Sequence, residues 1–107
     1  MNSVNIIGHL TKDPERIETS GGTTITTLRV AINGRSDDDT VYTDVKTFGK
    51  QAAACDEYLA KGSKVAVSGR LAFDEWENED KEKRSRLYVI GTVDFLDRKA
   101  EDEPDGD

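Results

Sequence analysis

Hydrophobic and polar positions alternate with a period of two along most of the chain, in short β-branched runs set off by glycine, the pattern of half-buried strands. Five strands are predicted. The first runs from Val4 to Leu10, breaks at Asp13-Pro14 and resumes near Arg16 to Thr19, ahead of a Gly21-Gly22 turn. Gly8 within it marks a bulge or the close approach of another backbone. The second, Thr24 to Asn33, sets Leu28, Val30 and Ile32 on one face and Thr27, Arg29 and Ala31 on the other. After a loop from Gly34 to Thr40, the third strand, Val41 to Phe48, sets Val41, Thr43, Val45 and Thr47 against Tyr42, Asp44, Lys46 and Phe48.

The alternation then gives way to an alanine-rich stretch. Lys50 to Ala60 reads as the one helix, with Gly62 as its C-terminal stop. The fourth strand, Lys64 to Phe73 or beyond, points Val65, Val67, Gly69, Leu71 and Phe73 inward, and Gly69 allows the bend that a small barrel needs. Glu75 to Ser85 is a charged hairpin connection containing Trp76, and the fifth strand, Arg86 to Phe95, has Leu87, Val89, Val93 and Phe95 on its inner face. Residues 97–107 hold few apolar side chains and cannot repay the entropy of folding alone, so a disordered acidic tail is expected after a domain spanning residues 1–96. Five strands with a helix between the third and fourth is the order of an OB-fold barrel, an all-β architecture.

Composition narrows the chemistry. At 107 residues the chain suffices for one modest core. The single cysteine, Cys55, excludes an internal disulfide and reads as a small helical core residue; His9 reads as a surface or interface residue. No metal or cofactor is expected, because Asp37-Asp38-Asp39 lacks the spacing of a calcium loop and no phosphate loop, nucleophile elbow or paired-carboxylate motif is present. Nor is catalysis expected. No run is apolar enough to span a membrane and the N-terminus shows no signal-peptide pattern, so a cytoplasmic location is expected. The net charge of −7 argues against a polyanionic ligand until its location is considered. Five acids in residues 101–107 and the three of Asp37 to Asp39 account for all of it and leave the rest of the chain slightly basic.

Three stretches carry a resemblance. Gly8-His9-Leu10-Thr11-Lys12-Asp13-Pro14-Glu15, Phe48-Gly49-Lys50-Gln51-Ala52, and Glu57-Tyr58-Leu59-Ala60-Lys61-Gly62-Ser63-Lys64-Val65 leading to Gly69-Arg70-Leu71 occur in an order, closed by Ile90-Gly91-Thr92-Val93-Asp94-Phe95-Leu96, that resembles the bacterial and phage single-stranded DNA-binding protein family. The resemblance implies a homotetramer of OB folds, less often a dimer. It further implies binding of single-stranded DNA in replication, repair or recombination, at a bacterial nucleoid or in the cytoplasm of a phage-infected host.

A general single-strand binder needs aromatic platforms interleaved with cations, and Tyr42, Lys46 and Phe48 alternate in this way on one face of the third strand. The resemblance implies base stacking on Tyr42, Phe48 and Trp76, and phosphate contacts from Lys50 and Lys61, with Arg16 near another family cation. The face assignment adds Arg29, Arg35 and Arg70. Asp44, Ala72 and Asp74 stand where the family places cations, so a less basic groove and a weaker or more salt-sensitive affinity are expected. The acidic tail resembles the family's partner-recruiting tip but lacks its final hydrophobic residues, which leaves competition with DNA for the basic groove as its expected effect. Two alternatives remain open at this level: an OB-fold adaptor of weak DNA affinity acting through replication or recombination proteins, and a binder of single-stranded RNA.

Overall fold

A period-two strand with one apolar face needs a partner for that face, and this chain supplies one by rolling its sheet onto itself. The computed structural model describes residues 1–96. The elements are β1 (Val4–Leu10), β2 (Glu15–Glu18), β3 (Thr24–Ile32), β4 (Val41–Phe48), α1 (Gly49–Tyr58), β5 (Lys64–Glu77) and β6 (Lys83–Phe95), with a turn of 3-10 helix at Asp37–Asp39. Strand neighbours run β1-β5-β6-β4-β3-β2, and an additional β1–β3 pairing closes β1, β5, β6, β4 and β3 into a ring. The ring is the predicted five-stranded OB-type barrel, with α1 between its third and fourth strands in chain order. The interrupted first strand is real: β1 belongs to the ring, whereas β2 pairs only with β3 as a hairpin arm.

Closure is made at Gly8. β1 pairs with β5 from Val4 to His9 and with β3 at His9 and Leu10, so both neighbours meet at His9, directly after Gly8. A Cβ on Gly8 would strike the Ala31 carbonyl and a methyl of Val30. On the other side the ring closes through a short parallel contact, Val45 opposite Val89 and Lys46 opposite Ile90.

The inward faces of the strands form a core of Leu10, Leu28, Val30, Val45, Val65, Val67, Val89 and Val93, plugged from α1 by Cys55 and from the residue after it by Leu59. Two threonines are buried with it. Thr26 Oγ1 donates to the Ala52 carbonyl at 2.7 Å and Thr47 Oγ1 to the Thr26 carbonyl at 3.1 Å, so neither hydroxyl is left unsatisfied. Twice, a side-chain carboxamide replaces a neighbouring strand. Gln51 of α1 accepts the Val93 N–H at 3.0 Å and donates to the Val93 carbonyl at 3.2 Å. Asn2 accepts the Leu71 N–H at 2.8 Å and donates to the Leu71 carbonyl at 2.9 Å, beyond the end of β1.

Four expectations are corrected. Leu71, Phe73 and Leu87 have the parity of the core yet are 44%, 57% and 60% exposed. The β1–β5 seam ends where Val4 faces Gly69, and beyond the buried Val89, which still pairs with β4, β5 and β6 continue as a two-stranded ribbon with Phe73 opposite Leu87. Among the described residues nothing covers the ribbon, so alternation there fixes a side without burying it. Trp76 lies inside β5, opposite Arg84, because the strands run to Glu77 and restart at Lys83, and the connection shrinks to residues 78–82. The helix is Gly49–Tyr58 instead of Lys50 to Ala60. Gly62, with φ of 94°, turns the chain into β5 and donates its N–H to the Leu10 carbonyl, while the helix itself ends at an extended, buried Leu59. The acidic tail lies outside the described residues.

Candidate nucleic-acid interface

Burying Val45 and Thr47 commits the opposite set on β4, Tyr42, Asp44, Lys46 and Phe48, to the outside of the barrel. Register with β3 places Ala31 beside Tyr42, Arg29 beside Asp44, Thr27 beside Lys46 and Ile25 beside Phe48. From Tyr42 to Phe48 this row covers roughly 20 Å at the usual rise of a strand. The Arg29 guanidinium lies 5.9 Å from the centre of the Tyr42 ring, within cation–π range.

The wall does not stop at β4. Parallel pairing brings the outer face of β6 alongside, and Lys46 Nζ sits 4.5 Å from the centre of the Tyr88 ring. Beyond Tyr88 the outer face of the ribbon carries Arg86 opposite Asp74 and Arg84 opposite Trp76, so strand parity sets Trp76 on the same side as the β4 row. Arg70 shares that parity, opposite Ile90. Tyr42, Phe48 and Trp76 are all exposed.

Ion pairs run through the wall. The side chain of Asp44, 14% exposed, receives Arg29 at 3.1 Å on one carboxylate oxygen and Arg86 at 2.9 Å on the other. Asp74 lies 3.8 Å from Lys46 Nζ. Arg35, Lys50, Lys61 and Arg70 have no carboxylate in ion-pair range among the described residues.

The structure thus brings Arg29, Tyr42, Lys46, Phe48, Arg70 and Trp76 to one side of the sheet. Arg35 stands in the loop beyond the Tyr42 end, and Lys50 follows Phe48 in the first turn of α1 at the other end. Lys61 is exposed in the turn before β5, where its N–H is held by Asp13 Oδ1 at 2.9 Å. Arg16 stands apart. It pairs with Thr26, whose side chain points into the core, and its guanidinium reaches Glu18 at 3.0 Å and Asp56 of α1 at 3.7 Å, on the face opposite the wall. Sequence reasoning missed Tyr88, Arg84 and Arg86. Their alternation on the polar face of β6 was the available signal, but their position next to β4 depends on a pairing between strands far apart in sequence.

Other chemistry is sparse. Burial pushes the Cys55 thiol up to about 11, a rise that a side-chain hydrogen bond with Thr47 opposes, so at neutral pH it is a protonated core group. No cluster of His, Cys, Asp and Glu among the described residues is arranged to hold a metal ion, and no described helix is long and apolar enough to cross a membrane.

Barrel and wall together define an OB-type protein whose exterior, lined by rings and charges, is the surface open to a ligand. Comparison with known sequences makes the assignment specific. The chain belongs to the single-strand binding protein family, whose profile matches residues 1–96. It is 35% identical to a single-stranded DNA-binding protein of Helicobacter hepaticus, over 99% of this chain and 65% of that one. With the proteins of the same name from Wolinella succinogenes and Thermotoga maritima it shares 32% and 38% identity, over 92% of this chain in both cases and 66% and 75% of theirs. The chain therefore spans just under two thirds of the length of the first two relatives.

Proposed function

We propose that this protein binds single-stranded DNA with little sequence preference, stacking bases on Tyr42, Phe48 and Trp76 while Arg29, Arg35, Lys46, Lys50, Lys61 and Arg70 approach the phosphates. The observation that carries this reading is the single wall in which Tyr42, Lys46 and Phe48 alternate on β4 and the outer face of β6 extends the row toward Trp76. Every base offers a π-face, so rings select for unpaired strands and not for sequence. Duplex DNA hides those faces. Occupancy protects the strand and keeps it unpaired, a role for replication, recombination and repair in a bacterial or phage-infected cytoplasm that needs no catalytic group.

Self-association belongs to the same proposal. Ile7 and the ribbon's Leu71, Phe73 and Leu87 are exposed, and a shallow depression on the outer side of β1 and β5 is lined by Asn5, Ile6, Ile7, Ala66, Val67 and Ser68. Covering a side chain of this size contributes about 1.5–3 kcal/mol, which favours a homo-oligomer of barrels, a tetramer or a dimer. The acidic residues after Leu96 are proposed to compete with DNA for the wall and to meet replication or repair proteins.

Titration with a dT oligomer, following Trp76 fluorescence, tests the reading. Quenching that saturates, and that a duplex of equal length does not reproduce, is expected. Absence of saturable binding at low salt refutes it, and tighter binding of the matched RNA oligomer moves the substrate to RNA.

A further inference from the structure

The cations of the wall fall into two groups. Arg29 and Arg86 share Asp44, Lys46 has Asp74 and Arg84 has Glu82, whereas Arg35, Lys50, Lys61 and Arg70 have no such partner among the described residues. Asp44 is held in place by its position in β4, largely covered, with one oxygen committed to each arginine. It cannot diffuse away when a phosphate arrives. We propose that Asp44 and Asp74 act as built-in counterions of the DNA-binding wall, lowering its electrostatic affinity and flattening its dependence on salt, the reverse of the greater salt sensitivity expected from the sequence; this rests on the single-strand-binding reading above.

The physical reason lies in what makes nucleic-acid binding salt-sensitive. A cation that neutralises a phosphate frees a mobile counterion from the nucleic acid, and log K falls with log salt in proportion to the number of phosphates neutralised. Arg29, Arg86 and Asp44 together bring one net positive charge to the strand, and Lys46 with Asp74 brings none. Five hydrogen-bond donors on each guanidinium leave most of the fork free, so both arginines can still touch phosphate oxygens while contributing less than two charges of counterion release. Contact and neutralisation are thereby separated: the wall touches more phosphates than it neutralises.

The test compares wild type, Asp44→Asn, Asp74→Asn and the double variant, with Glu57→Gln as a control. Glu57 is exposed on α1 and in no ion pair among the described residues, so its loss changes the net charge equally but away from the wall. Each is titrated with the same dT oligomer across a salt series, following Trp76 fluorescence. Removing either aspartate charge is expected to steepen the plot of log K against log salt by about 0.7, and hence to tighten binding roughly fivefold at about 0.1 M salt relative to 1 M extrapolation. The double variant steepens it by about 1.4, and Glu57→Gln leaves it unchanged. Asp74 sits on the exposed ribbon, so Asp74→Asn still tests the counterion role if Asp44→Asn fails to fold. Wild-type binding with unchanged slopes in folded variants, or weaker binding by them, overturns the counterion role alone. A wild type that does not bind dT at low salt overturns the binding reading and this inference with it.

Discussion

Gln51→Ala is expected to destabilise the protein by about 2 kcal/mol, because one side chain supplies both hydrogen bonds that a missing strand would give to Val93. The side chain of Val93 is buried and the strand that carries it meets β4 at only two residue pairs, so α1 holds β6 mainly through this carboxamide and the plug beneath it. Each neutral hydrogen bond contributes about 1 kcal/mol net, and a backbone group stranded without a partner costs about 1–3 kcal/mol. Gln51 is half-buried, so water reaches the freed groups in part and the cost stays near the lower bound, while the released rotamers of the glutamine return up to about 1 kcal/mol. For a domain of this size a loss of about 2 kcal/mol lowers Tm by roughly 8–16 °C. Urea unfolding followed by far-UV circular dichroism measures it, with m unchanged if the denatured state is unaffected. A Gln51→Ala protein within about 0.5 kcal/mol of wild type refutes the reasoning.

Three further outcomes follow from the structure. Tyr42→Ala and Phe48→Ala each weaken dT binding by about 1–3 kcal/mol, roughly 5- to 150-fold, with no shift in the urea midpoint, as expected of exposed rings; a large stability loss with intact binding reverses their assignment. Lys81 adopts φ of 63° in the ribbon turn, a region that suits glycine, so Lys81→Gly stabilises by about 0.5–1 kcal/mol; thermal unfolding at equal or lower temperature counts against it. The folded state retains the Cys55 proton to about 11 whereas the unfolded chain releases it near 9.0, so between those values the unfolded chain binds fewer protons and stability falls as pH rises. That loss reaches up to roughly 3 kcal/mol and is absent in Cys55→Ala; parallel pH profiles of stability for the two proteins exclude it.

Strand parity was the most legible feature of the sequence. Leu28 and Val30 inward, Tyr42 and Phe48 outward, and the break at Asp13-Pro14 all follow from local alternation and turn chemistry, which act between residues near in sequence. The same rule misled at Leu71, Phe73 and Leu87, because alternation records which side a residue faces and not whether anything covers that side. The site was legible to the same extent. Tyr42, Lys46 and Phe48 share a strand and could be read together, but Tyr88 and Arg86 reach them only through the parallel β4–β6 contact, and the Asp44 and Asp74 pairings span strands brought together by closure of the ring. Arg16 illustrates the converse: a resemblance suggested a contact with the ligand, whereas register with Thr26 turns the side chain toward α1.

The pairing of Asn2 with Leu71 has a consequence for solubility. Past Val4 and Gly69 the flank of β5 has lost its neighbour, and a strand with unmet amides invites any passing extended chain to add itself, the first step of aggregation. One amide side chain satisfies the first such position. Further along the ribbon Asp74 faces Arg86 and Glu77 faces Lys83, with Glu75 and Arg84 between them, a dense mixture of charges that a second copy could not stack upon in register. The lever that carries Trp76 away from the barrel is thereby guarded against edge-to-edge strand addition.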